Sequence, residues 1–263
     1  MEMHCPVFYR FFIIPVLCTS ALWWRCGAGS GLKILTATCE YLKNPVGIDA
    51  GQPRFSWTFT ASGRGEKQTA YQLLVARDPA LLRKNSADLW DSGRIDSDQS
   101  TLVRYAGKTL HSHETYYWQV RAWDSQSRPS AFSEVQTFTT GLLTPDQWRA
   151  QWIGAPGGKD PVNEQGFYNT PIAVDEEGDS IRYNPRSLLL RKSFHIQRPV
   201  KQALLYVSGL GYYELNVNGA KSGDQVLAPA KTFYKRVVLY DSYDVSTQRS
   251  EEHTSELQSR QVI

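Results

Sequence analysis

One stretch, Ala203 to Val245, constrains the fold more than any other. Ala203, Leu205 and Val207 alternate with Leu204, Tyr206 and Ser208, and Tyr213, Leu215 and Val217 alternate with Tyr212, Glu214 and Asn216. A period of two places each set on its own face of a strand, and no helix fits it. Gly209 and Gly211 interrupt the pattern and permit a close backbone approach. Asn218-Gly219 follows the second run directly. This dipeptide signals a type I′ hairpin, because such a turn needs positive φ at both central residues. The chain then returns through Ala220 to Gly223, crosses an irregular stretch containing Pro229, and is expected to re-enter a strand at Arg236 to Tyr240. The stretch reads as part of a β-sandwich with aromatic-rich strands.

The same logic extends upstream. Leu32 to Gly141 reads as a first sandwich. Phe55, Trp57 and Phe59 share one face of a strand, and Tyr71, Leu73 and Val75 share one face of the next. Leu89 to Gly93 closes a turn, and Thr101 to Tyr105 is expected to be a further strand. Tyr116, Trp118, Val120 and Ala122 alternate inward, and Val135 to Thr139 forms the last strand. Leu110 precedes Tyr116 at the spacing of the tyrosine corner of immunoglobulin-like sandwiches. A chain of 263 residues has room for two such modules, its 8 Trp and 14 Tyr suit them, and long helical patterns are absent. The predicted fold is all-β: a fibronectin type III-like sandwich at 32–141, then a partial jelly-roll sandwich at 187–248.

Two blocks of residues resemble one enzyme family. Leu190-Arg191-Lys192-Ser193-Phe194, Tyr206 to Glu214, Asn218-Gly219 and Gly223-Asp224 carry the resemblance. It continues through Leu227, Pro229, Thr232, Tyr234, Arg236, Tyr240, Tyr243, Asp244 and Val245. Together they resemble the N-terminal β-sandwich of bacterial α-L-rhamnosidases, glycoside hydrolase family 78. Lys231 departs from the pattern, where that family more often has Gly-Trp before the Thr. Glu40 to Pro45, Gly47-Ile48-Asp49 and Pro53 to Trp57 resemble the leading module of the same enzymes, and Tyr116 to Thr140 resembles the last two strands of a fibronectin type III module.

The N-terminus has the pattern of a secretion signal over residues 1–28. Arg10 precedes an apolar run from Phe11 to Trp24, too short to span a bilayer comfortably, and Cys26-Gly27-Ala28 supplies small residues before a cut. Neither Cys18 nor Cys26 sits in a lipobox pattern. A secreted or periplasmic location is expected, with no stable membrane insertion. Removing this segment takes Cys5, Cys18 and Cys26 with it and leaves Cys39, which cannot form an internal disulfide and reads as a small buried residue. The formal charge of +3 is too small to imply nucleic acid.

Residues 142–186 read as linker and loop. Trp148 and Trp152-Ile153-Gly154 are expected to pack the two modules together, with an exposed sugar platform as the alternative. Asp175, Glu176, Glu177 and Asp179 offer oxygen atoms suited to calcium, but without EF-hand spacing they read as a solvated charge run. Arg249 to Ser259, RSEEHTSELQS, looks like a translated sequencing adapter. Residues 249–263 are therefore expected to be a foreign, polar tail without β-pattern. The second sandwich would then lack partner strands and leave Tyr206, Tyr213, Leu215 and Val238 exposed.

The resemblance implies that the parent protein releases terminal α-L-rhamnosyl residues from glycosides and polysaccharides. Inversion needs an acid and a base about 6.5–9.5 Å apart, which the family carries on a separate (α/α)6 barrel. This sequence has no helical-repeat pattern. Glu214 and Asp224 read as sandwich or turn residues rather than that pair. No Gly-x-Ser-x-Gly elbow, phosphate loop, Cys-x-x-Cys or metal-ligand His cluster is present. Catalytic, cofactor and metal residues are thus expected to be none. Calcium is implied for some members of the family without numbered ligands here, and the expected partners are rhamnose-containing glycans. The alternative is a stand-alone carbohydrate-binding or adhesion protein built from two sandwiches.

Overall fold

The structure, a computed structural model, describes residues 31–153, 173–174, 180–181, 188–195, 200–248 and 254–262. The signal-type segment and the acidic run Asp175, Glu176, Glu177 and Asp179 lie outside the described residues.

The first module contains strands β1 (Leu32–Cys39), β2 (Val46–Ile48), β3 (Arg54–Ala61) and β4 (Ala70–Ala76), then helix α1 (Pro79–Arg83). Strands β5 (Trp90–Asp91), β6 (Ile95–Asp96), β7 (Val103–Arg104), β8 (Thr115–Trp123) and β9 (Gln136–Thr140) complete it. One sheet has the order β1-β3-β7. The other runs β2-β9-β8-β4-β5, with β6 also paired to β4. Facing sheets make a sandwich core. Phe55 and Trp57 from the first sheet meet Tyr71, Leu73, Val75, Tyr116, Trp118, Val120 and Phe138 from the second. Phe55 and Trp118 lie at the centre, with ring centroids 4.5 Å apart. The inward faces read from the alternation are buried as expected, apart from Phe59, which is half-buried at the rim.

Two local features depart from the sequence reading. Strand β4 is buried on both faces, because Leu74 and Ala76 pack under Leu82 of α1. Pro79 starts that helix, and the Asp78 carboxylate accepts a hydrogen bond from Ala80 N at 2.8 Å, an N-cap in the usual sense. The strand expected over Thr101 to Tyr105 shrinks to Val103–Arg104. Leu102 has φ +54°, and its N–H donates to Ser56 Oγ rather than to a ladder partner.

The second module opens after a 3-10 turn at Pro145–Gln147 and a two-residue pairing of β10 (Ala173–Val174) with β11 (Ser180–Ile181). It contains β12 (Leu188–His195), β13 (Leu204–Ser208), β14 (Tyr212–Val217), β15 (Ala220–Lys221), β16 (Tyr240–Asp244) and β17 (Thr254–Val262). β13 pairs with β16, and a second sheet has the order β12-β17-β14-β15. Asn218 and Gly219 take φ +51° and +81°, as the hairpin signal requires. The strand expected at Arg236 to Tyr240 instead spans Tyr240–Asp244. Arg236 N and Val237 N both donate to Phe233 O, which turns the chain before it can pair.

Two further expectations are corrected. Tyr213 and Leu215 are buried rather than exposed, packed with Ala228, Tyr243, Leu205, Val207 and Val245, while Tyr206 and Val238 are half-buried. The tail also takes a strand where none was expected. Thr254–Val262 lies between β12 and β14 and pairs antiparallel with both. Its sequence lacks the period of two, but ladder bonds are made by the backbone. A strand in that gap satisfies N–H and C=O groups on two edges whatever its side chains.

Trp118→Ala should destabilise the first module by about 3–5 kcal/mol, read from denaturant unfolding. The buried Trp57 indole N–H donates to Gln68 Oε1 at 2.9 Å. Gln68→Leu should therefore cost about 1–3 kcal/mol by orphaning that donor, and unchanged stability would show that water replaces the amide.

Candidate functional site at the junction of the modules

The junction begins at the tyrosine corner. The Tyr116 ring sits in the first core, and its hydroxyl accepts a hydrogen bond from His111 N at 2.8 Å while donating to Glu114 Oε2 at 2.8 Å. Burial pushes the Tyr116 phenol up to about 12, so it stays a neutral donor. Thr140 Oγ1 donates to His111 O and accepts from Glu114 N, and His113 N donates to Gly141 O. The turn from His111 to Glu114 is thereby fixed at both sides, and it projects His113, at φ +63°, towards the second module.

Tyr206 on β13 meets it, with the phenol oxygen 2.9 Å from His113 Nδ1. Burial, with Tyr240 close by, pushes the Tyr206 phenol up to about 12. Tyr240 on β16 packs edge-on against Tyr206 at 5.7 Å and at a tilt against Trp148 at 5.6 Å, and its hydroxyl accepts from Leu142 N. Thr115 Oγ1 donates to Gln202 Oε1, and Gln202 Nε2 donates to Asp244 Oδ2. Burial alone would raise the Asp244 carboxyl. Hydrogen bonds from Ser246 and Gln202 outweigh it and hold the carboxyl below the usual range. Two glycines permit the close approach. A Cβ on Gly47, at φ +83°, would stand 2.0 Å from Ser242 Oγ, and one on Gly141 would stand 2.8 Å from the Tyr240 hydroxyl.

His113, Gln202, Leu204 and Tyr206 line an open cleft of about 310 Å³ at this junction. Its polar groups are the His113 ring, the Gln202 amide and the Tyr206 hydroxyl, beside the Leu204 side chain. Such a surface can hold a hydroxylated ligand or fix one module on another. Glu214 lies on the exposed side of β14 and Asp224 is exposed beyond the β15 hairpin, and neither borders the cleft. Cys39 is buried, and burial together with Glu40 pushes its thiol far up, away from reactive thiolate. Among the described residues, no group of three His, Cys, Asp or Glu side chains is placed to hold a metal ion.

Trp148 packs into the junction as the sequence indicated. Trp152 does not: it is 62% exposed, with Ile153 beside it also exposed. Sequence reading missed His113, Gln202, Tyr206 and Tyr240 as junction residues. Only the Leu110–Tyr116 spacing pointed towards the turn that carries His113.

An all-β chain whose two modules meet through an aromatic, hydrogen-bonded joint belongs, by its fold, to the class of multi-module β-sandwich proteins. Comparison with known proteins narrows this. Residues 34–144 match the family described as Rha78A-like, N-terminal immunoglobulin domain, and residues 198–255 match the alpha-L-rhamnosidase N-terminal domain. An alpha-L-rhamnosidase of Formosa agariphila is 38% identical over 213 residues, 78% of this chain and 21% of that protein. The solved alpha-L-rhamnosidase from Dictyoglumus thermophilum superposes with TM-score 0.73 at 36% identity, covering 87% of this chain and 25% of that one. The Aspergillus terreus enzyme superposes with TM-score 0.66 at 27% identity, covering 88% and 24%. The chain carries, in their order, the N-terminal domains of the glycoside hydrolase family 78 α-L-rhamnosidases. It spans only about a fifth to a quarter of the length of these relatives.

Tyr240→Ala removes the Trp148 and Tyr206 contacts and the acceptor for Leu142 N. A calorimetric scan of this variant should show the second module melting earlier than in the wild type, with the first module's transition unmoved. Equal shifts of both transitions would show that Tyr240 supports more than the joint.

Proposed function

We propose that this chain is the accessory N-terminal region of a secreted or periplasmic α-L-rhamnosidase. The enzyme would release terminal α-L-rhamnosyl residues from glycosides and polysaccharides. The observation that carries this reading is the ordered pair of N-terminal domain matches within relatives named as alpha-L-rhamnosidases. Hydrolysis by inversion would fall to carboxyl groups on the (α/α)6 barrel of such an enzyme, and the two sandwiches here would supply structure and placement. The second module is read as part of a jelly roll. The Arg10 and Phe11–Trp24 pattern supports export.

The purified chain should leave an aryl α-L-rhamnoside intact, because Glu214 and Asp224 are exposed strand and turn residues and neither lines the junction cleft. Turnover by the pure chain, lost in Glu214→Gln or Asp224→Asn, would overturn the reading.

A further inference from the structure

The outer face of the larger sheet in the first module holds one arginine in a fixed position. Gln72 on β4 pairs with Arg121 on β8, on the face opposite the core residues Leu73 and Val120. The Arg121 guanidinium carbon lies 4.8 Å from the centroid of the Trp123 ring and 4.7 Å from that of Phe132. Its Nε donates to Gln72 Oε1 at 2.9 Å, and Gln72 Nε2 donates to Asp91 Oδ1 at 2.6 Å. The segment carrying Phe132 is stitched to β8 on both sides. Ser130 N and Ser133 N donate to Ala122 O and Val120 O, and their hydroxyls accept from Ala122 N and Val120 N. Trp123 is shared with Arg94, whose guanidinium carbon lies 5.4 Å from the same ring and whose Nε donates to Asp96 Oδ1 at 2.9 Å.

Gln72 stands between Arg121 and Asp91, so the Arg121 guanidinium has no carboxylate of its own. Its two terminal nitrogens form no hydrogen bond or ion pair among the described residues, and neither is sealed from water. A guanidinium grips a carboxylate through Nε and one terminal nitrogen or through both terminal nitrogens. With Nε taken, the second fork remains, and the two rings and Gln72 hold it ready. We infer that Arg121 is an oxyanion-binding residue that takes the carboxylate of a uronate in an acidic glycan. The inference rests on the reading of the chain as part of a glycan-processing enzyme. The surroundings favour a sugar over a protein partner. Ser125, Gln126 and Ser127 form an exposed polar turn beside Trp123, with Ser127 Oγ 3.5 Å from Arg94 Nη2. The buried Asp124 carboxylate holds that turn by accepting from Gln126 N and Arg128 N. Such hydroxyl and amide groups suit the hydroxyls of a sugar ring. Asp91 and Asp96 offset the charge of Arg121 and Arg94, so the face selects by fork geometry rather than by net charge.

Trigalacturonate is the probe, titrated calorimetrically into the full chain, with its methyl ester as the uncharged counterpart. The acid should bind at one site and the ester should not bind. Arg121→Lys keeps the charge but loses the fork, and should weaken binding by about tenfold or more. Should that variant melt well below the wild type, Gln72→Met leaves the guanidinium and both rings in place. It should weaken binding by about threefold or more, because the fork is then free to turn. No binding, equal binding of the ester, or binding unmoved in whichever variant keeps the wild-type melting would each overturn the inference. Equal affinity for inorganic sulfate would make this a general anion site, and equal affinity for a glutamate-rich peptide would give the fork to a protein partner. Either result overturns the uronate assignment. An inactive chain that fails these tests sinks the Arg121 site alone, whereas rhamnosidase turnover by the chain sinks the accessory reading.

Discussion

The hydroxyl of Tyr116 connects the interior of the first module to the junction. Its ring packs against Phe138 in the first core, and its oxygen ties down the turn that presents His113. A buried phenol without partners would be costly, so the turn and the core hold each other in place. Thr140 completes the arrangement from β9. The position of His113 relative to Tyr206 is therefore set by the packing of the first core rather than by a free loop. Accessory modules that must present a surface at a fixed angle need this kind of support.

The two modules differ in how they are stabilised. In the first, sixteen residues form one contiguous buried cluster centred on Phe55 and Trp118. In the second, the cluster among the described residues is Tyr213, Leu215, Ala228 and Tyr243 with a few half-buried neighbours. Polar links fill part of the difference. The Tyr213 hydroxyl donates to Asp241 and lies 3.0 Å from that of Tyr243, and burial pushes the Tyr213 phenol far up, so it remains a donor. The second module thus draws more of its order from backbone pairing, buried hydroxyls and the joint with its neighbour. A module of that kind is expected to open locally before the first does.

Much of this was legible in the sequence where side-chain period and burial coincide. Trp57, Trp118, Val120 and the inward face of β4 follow the alternation because one face of each strand meets the opposite sheet. Asn218-Gly219 was legible because few other residue pairs accept two positive φ angles. The failures share a cause as well. Leu74 and Ala76 look like solvent-facing positions until α1 covers them. Leu102 and Phe233 divert their strands through hydrogen bonds, one to the distant Ser56 and the others within a turn, that no apolar pattern encodes. The junction was largely hidden, since Tyr206 and Tyr240 look like any strand aromatics and their partners are distant in the chain.

β17 shows the limit of side-chain reasoning most directly. Thr254 to Val262 has almost no apolar alternation, yet it occupies the middle of a sheet. A central strand of an antiparallel sandwich normally carries apolar residues at alternate positions, because one face of the sheet packs on the core. Here the two flanking strands present long rows of backbone groups that any extended segment can satisfy. Pairing of that sort specifies register weakly, because a one-residue slip exchanges one set of polar side chains for another at little cost. A segment with alternating apolar residues would fix the register by burying one face against Leu215 and Val217. The gap between β12 and β14 is therefore a place where the fold demands a strand while leaving its sequence open. The small second core is the physical reason that an apolar strand there would matter more than in the first module.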